Sequence, residues 1–167
     1  MKKLTVSLMT SILIIGATHA SVYSKETSTV DVAKRNGVKS CLGQVKSIAE
    51  HVLGSKAHST HGITKQGAAN EHMFLSMNVK GYSDGDSHVV ISSTPTDSGC
   101  DGFYVETSFM QMSCEKIQSD VFTGWKLSQT LNKNTVLLTN GSGTVHIYLS
   151  PQQGDTCLVS KQETVYG

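Results

Sequence analysis

Histidine and cysteine are the residue types here that can do metal or redox chemistry, and their spacing narrows what that chemistry would be. Of the seven histidines, His58, His61 and His72 fall in or beside one stretch, and three imidazoles are a ligand set for zinc or copper. They are the metal-ligating candidates, although His58-x-x-His61 lies on no regular element that would make the rings converge. The competing reading is solvated loop polarity. His51 sits beside the apolar stripe of a helix. His88 and His146 are assigned opposite parities on their strands, which argues against a shared histidine site. No cofactor is implied.

The four cysteines, Cys41, Cys100, Cys114 and Cys157, form neither a C-x-x-C redox motif nor a paired zinc pattern. An even count in an exported chain suits two structural disulfides. Acidic residues are scattered, with no pair spaced to put two carboxylates on one helical face. No Gly-x-Ser-x-Gly elbow, P-loop or His-Glu-x-x-His motif occurs. An enzyme is the least favoured of the classes considered.

Function must then rest on how the elements are arranged, and one pattern occurs twice. Gly85-Asp-Ser-His-Val-Val-Ile-Ser-Ser-Thr-Pro95 aligns without a gap on Gly141-Ser-Gly-Thr-Val-His-Ile-Tyr-Leu-Ser-Pro151, and these are the only two prolines. Ser40-Cys41 and Ser113-Cys114 each open a helical pattern. The first has apolar positions at Val38, Cys41, Val45, Ile48, Ala49, Val52 and Leu53, spaced by threes and fours, with Gly54 as its stop. In the second, Cys114, Ile117, Val121 and Trp125 follow at helical spacing. Strands are expected at about 73–80, 88–95, 102–112, 134–139, 144–150 and 156–165, with a hairpin turn at Asn140-Gly141. The expected fold is therefore α+β: a helix–β-hairpin–strand unit, duplicated over about 38–112 and 113–167, forming one antiparallel sheet with the helices on one face. Residues 55–70 read as a loop inserted in the first copy only, so their replacement by a short linker should leave the core folded.

Four cysteines allow three pairings. Cys100–Cys114 would join the ends of one extended segment, roughly 40 Å apart at ~3.3 Å per residue, whereas a disulfide needs Cα atoms about 5.5 Å apart. Cys41–Cys100 with Cys114–Cys157 gives each copy the same helix-to-strand staple and is preferred. Cys41–Cys114 with Cys100–Cys157 also respects the repeat and ranks second.

Period-two alternation assigns the strand faces. With Met73, Leu75, Met77, Val79, Val89, Ile91, Phe103, Val105, Phe109, Val145, Ile147 and Leu149 turned to the helices, the opposite face collects Phe74, Asn78, Val90, Tyr104, Met110, Met112, His146 and Tyr148. Aromatic, methionine and polar groups together compose a recognition surface, and Phe74, Asn78, Tyr104, Met110, His146 and Tyr148 are the candidate binding residues. The alternative is a second core layer under the N-terminal arm or the 55–70 loop.

Residues 1–20 read as a signal peptide: Lys2 and Lys3, an apolar run to Ile15, and the small-residue site Thr18-His19-Ala20. Residues 21–30 read as a flexible arm and 31–167 as a single domain. Of the 14 basic and 13 acidic side chains, removal of Lys2 and Lys3 leaves 12 against 13. That balance gives no basic footprint for nucleic acid or an anionic membrane. In architecture alone the expected fold resembles the tandem-repeat secreted inhibitors of β-lactamases, which use a sheet face to grip an enzyme; the likeness is one of fold. The sequence thus points to a secreted, periplasmic binding module acting on a protein partner, as inhibitor, immunity protein or assembly factor. A small-molecule or metal-binding protein using residues 55–72 is the alternative.

Overall fold

The computed structural model describes residues 28–167. The expected signal peptide, and the expected arm up to residue 27, lie outside these residues. Thr29 and Val30, placed in that arm on composition, instead open helix α1 (Thr29–Arg35). Helix α2 (Leu42–Leu53) follows, then strands β1 (His58–Ile63), β2 (Phe74–Tyr82), β3 (Gly85–Pro95) and β4 (Cys100–Met110). Helix α3 (Cys114–Asp120) is followed by β5 (Lys126–Leu131), β6 (Thr135–Thr139), β7 (Val145–Pro151) and β8 (Cys157–Val165). All eight strands form one antiparallel sheet in the order β1-β2-β3-β4-β8-β7-β6-β5. The fold is mixed α+β.

Two strands depart from expectation. β1 lies inside the stretch read as a structureless loop, and β5 occupies residues that had no assignment. β1 alternates half-buried and exposed positions but has few apolar side chains to mark them, and β5 is exposed almost throughout, so neither shows an apolar period in the sequence. Both are edge strands, paired on one side only. The remaining residues of the expected loop are also anchored. Asn70 accepts hydrogen bonds from Lys39 N (2.6 Å) and Ser40 N (3.0 Å) and donates to Gly37 O (3.1 Å).

The helices lie where the apolar spacing puts them. α2 buries Val45, Ile48, Ala49, Val52 and Leu53, one stripe at three- and four-residue intervals, and ends at Gly54 with φ 55°. Part of that stripe packs with Val89, Ile91 and Tyr104. α3 starts at Ser113, whose hydroxyl accepts from Lys116 N, and its Cys114 and Ile117 cluster with Leu138, Ile147, Leu149, Cys157 and Val159. Val32 and Ala33 of α1 pack with Val38, Val45 and Phe74. Gly102 makes the approach of α2 possible: a Cβ there would stand 2.6 Å from Ile48 Cδ1 and 3.0 Å from Ser92 O.

Two disulfides, Cys41–Cys100 and Cys114–Cys157, staple these layers. Each joins a residue at the start of a helix to the first residue of a strand, β4 or β8. Disulfides persist in oxidising compartments, so the pair suits an extracytoplasmic location. No helix among the described residues is long and apolar enough to cross a membrane.

Candidate functional site

Residues directly opposite in an antiparallel pair point to the same side of the sheet, so the register sorts every strand residue. One complete row runs His61–Met77–Val90–Val105–Gln162–His146–Thr139–Lys126. Beside it run Ser59–Val79–His88–Thr107–Ser160–Tyr148–Leu137–Gln129 and, on one half, Ile63–Leu75–Ser92–Phe103–Thr164. Phe109 and Leu158 begin a fourth row on the central strands. None of these residues belongs to the clusters that pack against α1, α2 or α3. Phe109 is 53 % exposed, Met77 40 % and Leu158 36 %; Leu75, Val79, Val90, Phe103, Val105 and Tyr148 are half-buried, and Leu137 and Ser92 are buried.

This register corrects the expected parity on two strands. Phe74, Asn78 and Tyr104 are buried, and Met110 packs against the α3 cluster; all four are displaced from the candidate binding face. Met112, beyond the end of β4, packs against that same cluster. Leu75, Met77, Val79, Phe103, Val105 and Phe109, expected beneath the helices, are on the other face. His146 and Tyr148 lie in the rows above. The apolar-in rule failed because β2 and β4 carry apolar side chains on both faces, and because their core side is partly polar. Asn78 is fully buried, yet it accepts from Thr29 Oγ1 (2.6 Å) and Thr60 Oγ1 (2.7 Å) and donates to Ser76 Oγ (3.1 Å) and Val89 O (3.0 Å). All its hydrogen-bonding capacity is met, so burial carries little penalty.

The charges of the central strands share that core side. Lys80, 4 % exposed, pairs with Glu106 and donates to Val52 O (3.1 Å), and Glu106 also accepts from Ser87 Oγ (3.0 Å). Burial would lower the Lys80 pKa, but the hydrogen bond with Glu106 and the nearby Tyr82 more than offset it, and the net shift is upward. Tyr104 donates to Glu163 Oε2 (3.0 Å), with His51 Nε2 3.3 Å away and the Lys161 ammonium over its ring. Burial and then the Glu163 hydrogen bond push its phenol well above the ordinary range. Tyr104 is thus held protonated, as a structural donor.

The metal-ligating candidates do not assemble. β1 turns His58 and His61 to opposite faces, and His72 lies outside any strand with its Nε2 3.1 Å from Lys65 Nζ. No group of three or more His, Cys, Asp or Glu side chains among the described residues is placed to hold a metal ion. His88 and His146, expected on opposite parities, share one face.

The sequence reading therefore missed most of this face, and one signal would have found it. Lys80, Glu106, Lys161 and Glu163 all take the parity of Asn78 and Tyr104, which leaves Lys126 as the one charged residue in the rows above, with Asp86 and Asp101 on the same face near the ends of β3 and β4. No family model, no curated protein and no solved structure matches this chain.

Proposed function

We propose that this chain is an exported, disulfide-stabilised binding module whose charge-poor sheet face docks a folded protein, as an inhibitor, immunity protein or assembly factor. The observation that carries this reading is the inverted polarity of the sheet. An antiparallel sheet with one solvated face normally turns its charged side chains to water. Here the central charges sit among the residues packed against helices, and the opposite rows present Met77, Val90, Val105, Phe103, Phe109, Tyr148 and Leu158 interspersed with hydroxyls such as Thr107 and Ser160. Depletion of charge with enrichment of aromatic residues and methionine is the composition of an interface core. Size argues for a protein as occupant. Eight strands at ~4.8 Å spacing and about six residues of strand at ~3.3 Å give a face on the order of 800 Å², one partner's share of a standard interface.

The same reading takes the chain as a duplicated unit with its three helices on one face, leaving the other free. What supports duplication is the order helix then four strands, twice over, with a sheet order that reverses at the β4–β8 seam. Equivalent disulfides, and Pro95 and Pro151 each closing its strand, support it further.

Affinity purification from the exporting cell tests the reading with three forms of the protein. Wild type and Lys46→Glu, altered on the outer surface of α2, should retain one protein in near-equal molar amount. Val105→Lys, altered in the middle of the face, should lose it while unfolding at the same denaturant concentration. A partner held equally well by folded Val105→Lys would remove the face from the reading.

A further inference from the structure

We infer that a cleft between β3 and β4, at the margin of the docking face, receives the guanidinium group of an arginine carried by the docked protein. The inference rests on the docking reading only for what carries that arginine; the cleft itself is testable without a partner. The ladder between β3 and β4 ends at His88↔Thr107, although β3 begins three residues earlier, at Gly85, and β4 runs three residues further, to Met110. Gly85–Ser87 pair only with β2, and Ser108–Met110 only with β8. The two strands part here around a cleft of about 220 Å³ lined by all six of these residues. Asp86 and Phe109 reach it from the docking face, and Ser87, Ser108 and Met110 have the opposite parity. Main-chain groups turned across the gap have no strand to meet them, so another hydrogen-bonding group is needed there. The walls select that group. The charged side chains lining the cleft are Asp84, Asp86 and Glu106, all acidic. Glu106 uses Oε1 for both Lys80 and Ser87, and its Oε2 has no partner among the described residues. Lys80 is not free to fill the cleft, being 4 % exposed and held by Glu106 and Val52 O. Lys56 and Lys80 already set their ammonium groups over the Tyr82 ring, which leaves Phe109, 53 % exposed, as the ring open to a ligand. Carboxylate and main-chain oxygens beside an open aromatic ring suit guanidinium, a planar cation with five donors and no acceptor that stacks on aromatic faces.

The test titrates the full disulfide-bonded, ¹⁵N-labelled protein at low ionic strength with N-acetyl-arginine methylamide, and separately with the same blocked forms of lysine and norleucine. Blocked arginine should shift the amide signals of Gly85–Ser87 and Ser108–Met110 saturably and bind at least fivefold more tightly than blocked lysine, while blocked norleucine moves none of them. Asp86→Asn and Phe109→Leu, which alter exposed side chains, should each weaken blocked arginine at least fivefold, and Asp101→Asn, at the opposite end of β4, should leave it unchanged. Equal unfolding midpoints will show that lost binding is not lost folding. Saturable shifts confined to other residues, no saturable shift at all, equal affinity for blocked lysine, or full affinity in Asp86→Asn would each overturn the site. Capture of the protein partner separates this inference from the docking reading. A partner lost by Val105→Lys but held fully by Asp86→Asn leaves docking in place and removes the arginine from it.

Discussion

Tyr104 and Tyr148 carry the same phenol into opposite surroundings. From sequence both were expected on the open face. Tyr104 is 1 % exposed and clusters with α2, whereas Tyr148 is half-buried and belongs to none of the clusters packed against the helices. Tyr104→Ala should therefore cost about 3–5 kcal/mol, as for a buried aromatic, and Tyr148→Ala less than about 1.5 kcal/mol. Denaturant midpoints of the two variants check the contrast. A pH effect belongs to the same buried network. The ordinary values are 10.5 for Lys80 and 10.0 for Tyr104, and the fold raises both. Above about pH 10 the unfolded chain releases these protons while the folded chain retains them, so stability should fall as pH rises through that region. Below it both groups are protonated in either state and contribute no slope. Chemical denaturation between pH 8 and 11 should show this alkaline loss, reduced in Lys80→Met and in Tyr104→Phe. A flat profile for the wild type would contradict the network.

Element by element, legibility followed burial. α2 and the β6–β7 hairpin were readable because each pairs a buried stripe or a buried alternation with clear stops, Gly54 for the helix and Asn140-Gly141 and Pro151 for the hairpin. An extended strand cannot bring its own ends together, and residues 100–110 are such a strand, which removed one cysteine pairing; the repeat pattern ranked the observed pairing above the other that remained. β1 and β5 were not readable, since an edge strand with one partner and few apolar side chains leaves no period in the sequence. The face assignment failed for a different reason. Buried polar groups such as Asn78 and Lys80 are admissible only through partners distant in sequence, Thr29, Thr60 and Glu106, which no local window contains. Replacement of Ser55–Asn70 by a short linker, harmless on the sequence pattern alone, should be damaging. It deletes β1, exposes the edge of β2 and removes the Asn70 anchor, so the cooperative transition should shift to clearly lower denaturant. Gly102→Ala should be nearly as informative. A methyl group there would stand 2.6 Å from Ile48 Cδ1 and 3.0 Å from Ser92 O, so Ile48 must repack beside a fixed carbonyl, at about 1–3 kcal/mol.

At the scale of the molecule, two staples and one continuous sheet hold together a chain whose sheet has its charges inside. Each disulfide closes a long loop, with sequence separations of 59 and 43, worth about 4 kcal/mol apiece on the chain-entropy model. Replacing either pair with serines should therefore lower the unfolding midpoint by a large fraction of total stability. Such rigidity would suit the proposed docking of this face to a protein partner. Site-specific photocrosslinking in the exporting cell tests the central claim most directly. A photoreactive side chain is placed in turn at Val105 and Tyr148 on the charge-poor face and at Lys46 on the outer surface of α2. The account predicts one discrete adduct to another protein from Val105 and from Tyr148, and none from Lys46. Adducts from Lys46 alone, or adducts from the face at only twice the mass of this chain, would contradict it.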